Sequence, residues 1–347
     1  MRDIKELSQS QLEAIVLGWG LKRFYAGEIF QWIFQKGIVD FSKMSNLPRH
    51  LREKLLAEFR ITSLSIQEVV TSKDGTEKLL LELSDGNVVE AVIIPTAARV
   101  TICISSQVGC KFACRFCASG LKGFQRDLTV AEIIDEVLLL KNRLNVQKRN
   151  LTHVVFMGTG EPLDNYDTVL QAVRILNDES GFHIGARRIT ISTCGIIPGI
   201  KRLSEEGIQV ELSISLHAAD ELTREKLMPV NHKYPLKDLI ETCKEYVERT
   251  NRQITFEYIL LQGLNADLQT AQKLGILLQG VRLAKVNLIP ANYIPELGLK
   301  PPAHEEIHAF KEVLLQAGIH VTVRASRGED IEAACGQLRL RHETGKS

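Results

Sequence analysis

Three cysteines, Cys110, Cys114 and Cys117, crowd into the run GCKFACRFCASG (109–120) with the spacing C-x3-C-x2-C. Thiolates are the ligands that iron–sulfur clusters use. Three of them can hold three corners of a cubane and leave the fourth iron open to a small ligand. A structural zinc site wants a fourth protein ligand at matching spacing. No second C-x2-C or Cys/His pair follows, and Cys194, Cys243 and Cys335 stand isolated. Zinc or chance clustering is the alternative reading. Seven cysteines in 347 residues are too few and too clustered for a disulfide scaffold. In a reducing compartment such a cluster points to metal or redox chemistry.

The elements around the cluster give it a place. From about residue 99 onward, apolar strands alternate with amphipathic helices. The pattern predicts strands at 100–105, 153–157, 188–193, 209–216, 254–260 and 285–289. Helices are predicted near 130–143, 166–177, 198–206, 235–249, 267–279 and 303–317, the first capped by Thr129 with Glu132. Strands of this buried type in β/α repeats form a parallel sheet with helices outside. Six units fall short of the eight in a closed barrel, so an α/β fold with an open, partial (β/α)6 barrel is expected, its site at the C-terminal ends of the strands. The cysteine run follows the first strand. Before it, residues 1–60 read as helices, with Ser8 capping Leu12, Ile15 and Val16, a second helix from Ala26 to Ile33, and a third after Pro48. Turns at Asp74-Gly75 and Asp85-Gly86 beside strand-forming runs predict a β-hairpin extension within 61–98.

Composition excludes several classes. Hydrophobic residues make up 44% and charged residues 24% of the chain, ordinary for a globular protein. No apolar run approaches the ~20 residues needed to cross a bilayer, and MRDIKELSQSQ is polar where a signal peptide needs an apolar stretch. A cytoplasmic protein is expected. A net charge of +1 means that any RNA contact must use local patches. Candidates are Arg49, Arg52 and Lys54; Lys122 and Arg126; Lys141, Arg143, Lys148 and Arg149; Arg187 and Arg188; and Arg324 and Arg327. Singly, such groups are more often a solvated face.

The C-x3-C-x2-C run with an aromatic residue, Phe116, just before its last cysteine resembles the radical S-adenosylmethionine superfamily. The resemblance implies one [4Fe–4S] cluster per chain on Cys110, Cys114 and Cys117. Its open iron would chelate the amino and carboxylate groups of S-adenosylmethionine, and an electron from the cluster would split the sulfonium to a 5′-deoxyadenosyl radical. The segment GTGEP (158–162), ending the second strand, is similar to the loop that receives the cofactor's amino group. Further segments are VEAVIIP (89–95), TICISSQVG (101–109), SLHA (215–218), LMPV (227–230), NLIP (287–290) and RGEDIEAACGQL (327–338). In that order they resemble the dual-specificity RNA adenine-C2 methyltransferases, relatives of C8 enzymes that confer antibiotic resistance. The resemblance covers nearly the whole chain.

It implies a division into an N-terminal helical RNA-binding unit (1–60), the hairpin extension (61–98), the radical SAM barrel (99–323) and a C-terminal loop and tail (324–347). It also implies a mechanism suited to C2 of adenine, an electron-poor carbon with no usable lone pair. Cys335 would take a methyl group from one S-adenosylmethionine as a thiolate nucleophile. A radical from a second S-adenosylmethionine would remove a hydrogen from that methyl group, and the resulting methylene radical would add to C2. Glu90 would accept the C2 proton, and Cys103 would form a disulfide with Cys335 and release the methylated base. Gly160, Glu161, Ser192, Ser215, Leu216, His217 and Asn292 would contact the cofactor. Cys194 and Cys243 match no family role and read as structural. The chain departs from the family at Thr159, where Met is usual, and at Tyr293, where Pro is common. The implied substrates are adenine 2503 of 23S rRNA and adenine 37 of certain tRNAs, in an extruded conformation, and the implied electron donor is a flavodoxin with its reductase. A monomer with no membrane contact is expected. The alternatives are a C8 methyltransferase and, in a different class, a non-catalytic iron–sulfur RNA-binding protein.

Overall fold

A computed structural model describes residues 1–120, 123–292, 298–324, 327–334 and 336–338. The strands are β1 (Ser65–Thr71), β2 (Glu77–Glu82), β3 (Val88–Pro95), β4 (Val100–Ile104) and β5 (His153–Phe156), then β6 (Ile189–Thr193), β7 (Glu211–Ser215), β8 (Ile254–Leu260), β9 (Ala284–Pro290) and β10 (His320–Val323). They lie in chain order in one sheet. From β4 to β10 every neighbouring pair is parallel. The β1–β4 edge is antiparallel. All six predicted barrel strands form. The seventh parallel strand, β10, closes the last β/α unit, and β1 adds a third strand to the expected hairpin. The sheet is open, a partial barrel.

The covering helices are amphipathic for the reason their sequences suggested. They are α1 (Gln9–Gly18), α2 (Phe24–Phe30), α3 (Arg49–Glu58), α4 (Val130–Val146) and α5 (Tyr166–Asn177), followed by α6 (Ile197–Leu203), α7 (Glu221–Leu227), α8 (Leu236–Thr250), α9 (Leu268–Leu278) and α10 (His304–Gln316). In α4 the Thr129 hydroxyl accepts from the Glu132 N–H at 3.2 Å, and the Glu132 carboxylate accepts from the Thr129 N–H at 2.8 Å. That reciprocal cap sets the helix start, and Ile133, Ile134, Val137 and Leu138 face the sheet, buried. Ser8 caps α1 in the same way with Gln11. The second predicted helix ends in a π-turn at Gln31–Gln35.

The N-terminal helices share one apolar core with the barrel. Lys5 is buried against Asp135 of α4, and the Lys141 ammonium of α4 donates to the Phe34 and Gln35 carbonyls at 3.2 and 2.9 Å. Among the described residues no helix is long and apolar enough to cross a membrane. The parallel strands all end at one rim, and the loops that follow them build the site.

Candidate active site

The first parallel strand leads into a short two-stranded ribbon, Gln107–Gly109 with Phe124–Asp127, that holds the cysteine loop. Gly109 has φ +76, and a Cβ there would lie 1.8 Å from the Gly123 carbonyl oxygen. Only glycine lets these two turns close. The Cys110 N–H then donates to that carbonyl at 3.1 Å.

The TICISSQVG segment supports the neighbouring glycine loop. The Ser105 hydroxyl accepts from the Thr159 N–H at 2.9 Å and donates to the Glu90 carbonyl at 2.9 Å. The Ser106 and Gln107 N–H groups both donate to the Thr159 carbonyl. The buried Gln107 amide accepts from the Glu161 N–H at 2.9 Å, and its NH2 donates to Asp127 and Asp164 at 2.8 and 2.9 Å. Gly158 and Gly160 pass so close to this segment that a Cβ on either would meet its atoms at 2.6 Å. The Glu161 carboxylate accepts from the Cys194 N–H at 2.7 Å and the Leu163 N–H at 3.0 Å. Burial pushes its proton affinity up, while those N–H bonds oppose the shift.

A cavity opens at the rim. Cys110, Cys114 and Cys117 line it, with Gly160, Glu161, Ser192, Ser215 and His217. Burial pushes the Cys110 thiol up to about 12 and the Cys114 thiol well above its ordinary value. A buried thiolate is therefore costly here without a cation, and the irons of a cluster supply that charge. Among the described residues no group of three or more His, Cys, Asp or Glu side chains is drawn together as around a metal ion. By donor type and shared cavity wall, Cys110, Cys114 and Cys117 are the residues that would hold an iron–sulfur cluster.

His217 has a left-handed backbone, φ +57. Its Nδ1 accepts from the Ile259 N–H at 3.0 Å. Burial, with a smaller contribution from Arg224, lowers its pKa to about 3. The ring is thus neutral and carries its proton on Nε2. Its edge packs on Phe116 with centroids 4.3 Å apart. Arg224, fully buried, donates to the Cys194 carbonyl at 2.8 Å and the Asn231 amide oxygen at 2.8 Å, tying α7 to the β6 loop.

A second, smaller cavity shares Met157, Ile289 and Arg324 with the first. Cys103 and Asn292 line this one, with Ala334. Asn292 is thus set apart from the other predicted cofactor residues. Leu216 is fully buried outside both walls, its N–H donating to the Glu257 carbonyl at 3.0 Å. Glu90 is buried with Lys78 Nζ 3.5 Å from its carboxylate. It precedes Val92 by two residues and so shares the strand face on which Val92 packs with Cys103, Ala333 and Leu338. No disulfide joins any two described cysteines. Cys335, Tyr293 and Lys122 lie outside the described residues.

The C-terminal segment is anchored on both sides of position 335. The Asp330 carboxylate accepts from the Ser72 hydroxyl at 2.6 Å and the Lys73 N–H at 3.2 Å. The Ala118 N–H donates to the Gly336 carbonyl at 2.7 Å, and the Ser119 hydroxyl to the Leu338 carbonyl at 3.1 Å. Some of the candidate basic groups have internal partners: Arg126 pairs with Asp85 and Glu132, Arg143 with Glu77, and Arg49 with Glu53.

Sequence reasoning missed Glu257 and Cys194, both in the main cavity wall, and Glu136. The Glu136 carboxyl is fully buried and accepts from the Ser105 N–H at 3.0 Å, and burial pushes it well up. The period-2 placement of Glu257 among apolar strand residues was the available signal.

The radical SAM superfamily matches residues 104–274, and the ribosomal RNA large subunit methyltransferase N-terminal domain matches residues 2–61. A protein of Pelotomaculum thermopropionicum, described as a probable dual-specificity RNA methyltransferase RlmN, is 45% identical over 97% of this chain and 91% of its own. The dual-specificity RNA methyltransferase RlmN of a Nitratiruptor species is 44% identical over 98% of each chain. The crystal structure of a radical SAM methyltransferase from Sphaerobacter thermophilus superposes with a TM-score of 0.93 at 42% identity, covering 98% of this chain and 100% of that one.

Proposed function

The chain belongs to the dual-specificity RNA methyltransferases of the radical SAM superfamily, and on that premise we propose that it methylates C2 of adenine 2503 in 23S rRNA and C2 of adenine 37 in tRNA. A bound [4Fe–4S] cluster and S-adenosylmethionine, two per turnover, supply the methyl group and a 5′-deoxyadenosyl radical. Cys110, Cys114 and Cys117 hold the cluster. Gly160 and Glu161 hold the cofactor's amino end, and Ser192, Ser215 and the Nε2–H of His217 contact its remainder, with Leu216 and Asn292 completing the set. Cys335 carries the methyl group as S-methylcysteine and then the covalent RNA adduct. Glu90 takes the C2 proton, and Cys103 releases the product by forming a disulfide with Cys335.

The observation that supports this reading is the position of the residues beside Cys335. Ala334 lines the cavity that holds Cys103, and Gly336 lines the cavity that holds the three cluster cysteines. A carrier between them could serve both. The helical unit 1–60 and the exposed basic groups would bind RNA, largely by shape. The enzyme would act as a cytoplasmic monomer, reduced by a flavodoxin-type donor.

An anaerobic assay with a 23S rRNA fragment, S-adenosylmethionine and a reductant, followed by nucleoside mass spectrometry, tests the reading. 2-Methyladenosine is the expected product. 8-Methyladenosine would move the chain to the resistance-type chemistry. 5′-Deoxyadenosine without methylated RNA would overturn the substrate assignment.

A further inference from the structure

Glu257 sits in the middle of β8 with 5% of its surface exposed, and it lines the main cavity. Its register partners are Ser215 on β7 and Asn287 on β9. Paired residues in a parallel ladder face the same side of the sheet, so Glu257 shares the inner face with Ser215. One carboxyl oxygen, Oε1, accepts from the Asn287 NH2 at 3.3 Å. The other oxygen, Oε2, has no hydrogen-bond partner among the described residues. Leaving a buried carboxyl oxygen unmatched is costly. A ligand group that meets it would remove that cost only when bound.

The chemistry of the site selects the ligand group. Burial pushes the Glu257 carboxyl up, while Arg324 and Lys285 pull the other way. An ammonium would suit the ionised form best, and a carbonyl only the neutral form. A hydroxyl suits both, since it can donate to the one and accept from the other. The cluster cysteines and Glu161 occupy the wall formed by the loops after β4 and β5, so a cofactor held there by its methionine end must extend its nucleoside along the remaining wall. Glu257 lies on that wall, three strands on from β5.

We propose that Glu257 anchors the ribose of bound S-adenosylmethionine through a hydrogen bond between Oε2 and a ribose hydroxyl. The proposal rests on the cofactor assignment above. The target nucleotide also carries a ribose, so the test is made without RNA.

Full-length protein with its cluster reconstituted is held oxidised, without reductant. Affinities for S-adenosylmethionine and for its 2′-deoxy and 3′-deoxy analogues are measured by equilibrium dialysis. Loss of one such bond corresponds to roughly three- to thirtyfold. Wild-type protein should bind one deoxy analogue weaker by that factor. Glu257→Ala should bind the cofactor weaker by a similar factor and no longer tell the analogue from the parent. Glu257→Met, which fills the same space and removes the unmatched oxygen, should behave alike and serves where the alanine variant does not fold. Equal wild-type affinity for all three compounds would overturn the proposal. So would a variant that loses affinity yet discriminates as the wild type does. Wild-type protein that binds no S-adenosylmethionine would overturn the cofactor assignment itself, a separate outcome.

Discussion

Replacing Glu161 by glutamine changes one oxygen to NH2 and leaves the volume almost unchanged, yet it should be costly. The carboxylate accepts from the Cys194 N–H at 2.7 Å on one oxygen and from the Leu163 N–H at 3.0 Å on the other. A carboxylate presents acceptors on both sides, an amide on one only. Whichever way the amide turns, its NH2 opposes a buried backbone N–H. An unmatched buried donor costs about 1–3 kcal/mol, and two opposed donors bring the expected loss to roughly 2–4 kcal/mol. Unfolding entropy of about 2.1 cal/mol/K per residue makes each kcal/mol worth about 1.4 °C in a chain of 347 residues. Tm should therefore fall by about 3–6 °C, read by circular dichroism on the cluster-free protein. Because Gly160 and Glu161 form the cavity wall, affinity for S-adenosylmethionine should fall at least about tenfold, equivalent to one lost charge-assisted bond. An unchanged melt with unchanged affinity would refute the claim that these two N–H bonds hold the loop.

Gly158→Ala would put a Cβ 2.6 Å from the Ile104 carbonyl oxygen, and backbone cannot step aside as a side chain can. A loss of about 1–3 kcal/mol and weaker cofactor binding are expected, by thermal melt and equilibrium dialysis. His217 has a folded pKa of about 3, below its unfolded value, so its contribution to stability is full above about pH 6.5 and falls as the pH drops toward 3. Between pH 7.5 and 5 the wild type should lose about 2 kcal/mol to this group. His217→Asn keeps an acceptor near Nδ1 and tolerates the left-handed backbone, and its melts should lack that share of the decline. Equal pH dependence in the two proteins would count against a buried neutral imidazole. Asp330→Asn should loosen the C-terminal segment from the Ser72–Lys73 turn, seen as faster hydrogen exchange in peptides spanning 327–338 with no change in β8. Unaltered exchange there would show that the carboxylate does not hold the segment.

Much of the fold was legible because each barrel strand is an apolar run followed by a helix with a clear periodicity. The cysteine triplet was legible because its spacing is local. Two strands were not. His320–Val323 is four residues long and half exposed, too short to show a period, and Ser65–Thr71 is largely exposed on the sheet's edge. α7 was hidden because its seven residues are mostly polar and bury only Arg224 and Leu227. Within the site, the role of Gln107 could not be read because its three partners lie at 127, 161 and 164, contacts made only by the tertiary fold. Cys194 reads as an ordinary buried cysteine in sequence. The structure sets it on the cavity wall, with its backbone bonded to Glu161 and Arg224. The unmatched oxygen of Glu257 is likewise a property of the assembled barrel and of no local pattern.

The most direct test of the central claim is peptide mass mapping of Cys335 after anaerobic incubation of the reconstituted protein with S-adenosylmethionine and no RNA. One added methyl group is expected on the peptide that carries Cys335 and none on the peptide that carries Cys103. Addition of an RNA fragment and a reductant should then move that methyl carbon to the RNA. An unmodified Cys335 in a preparation that still makes 2-methyladenosine, or full methylation by Cys335→Ala, would contradict it.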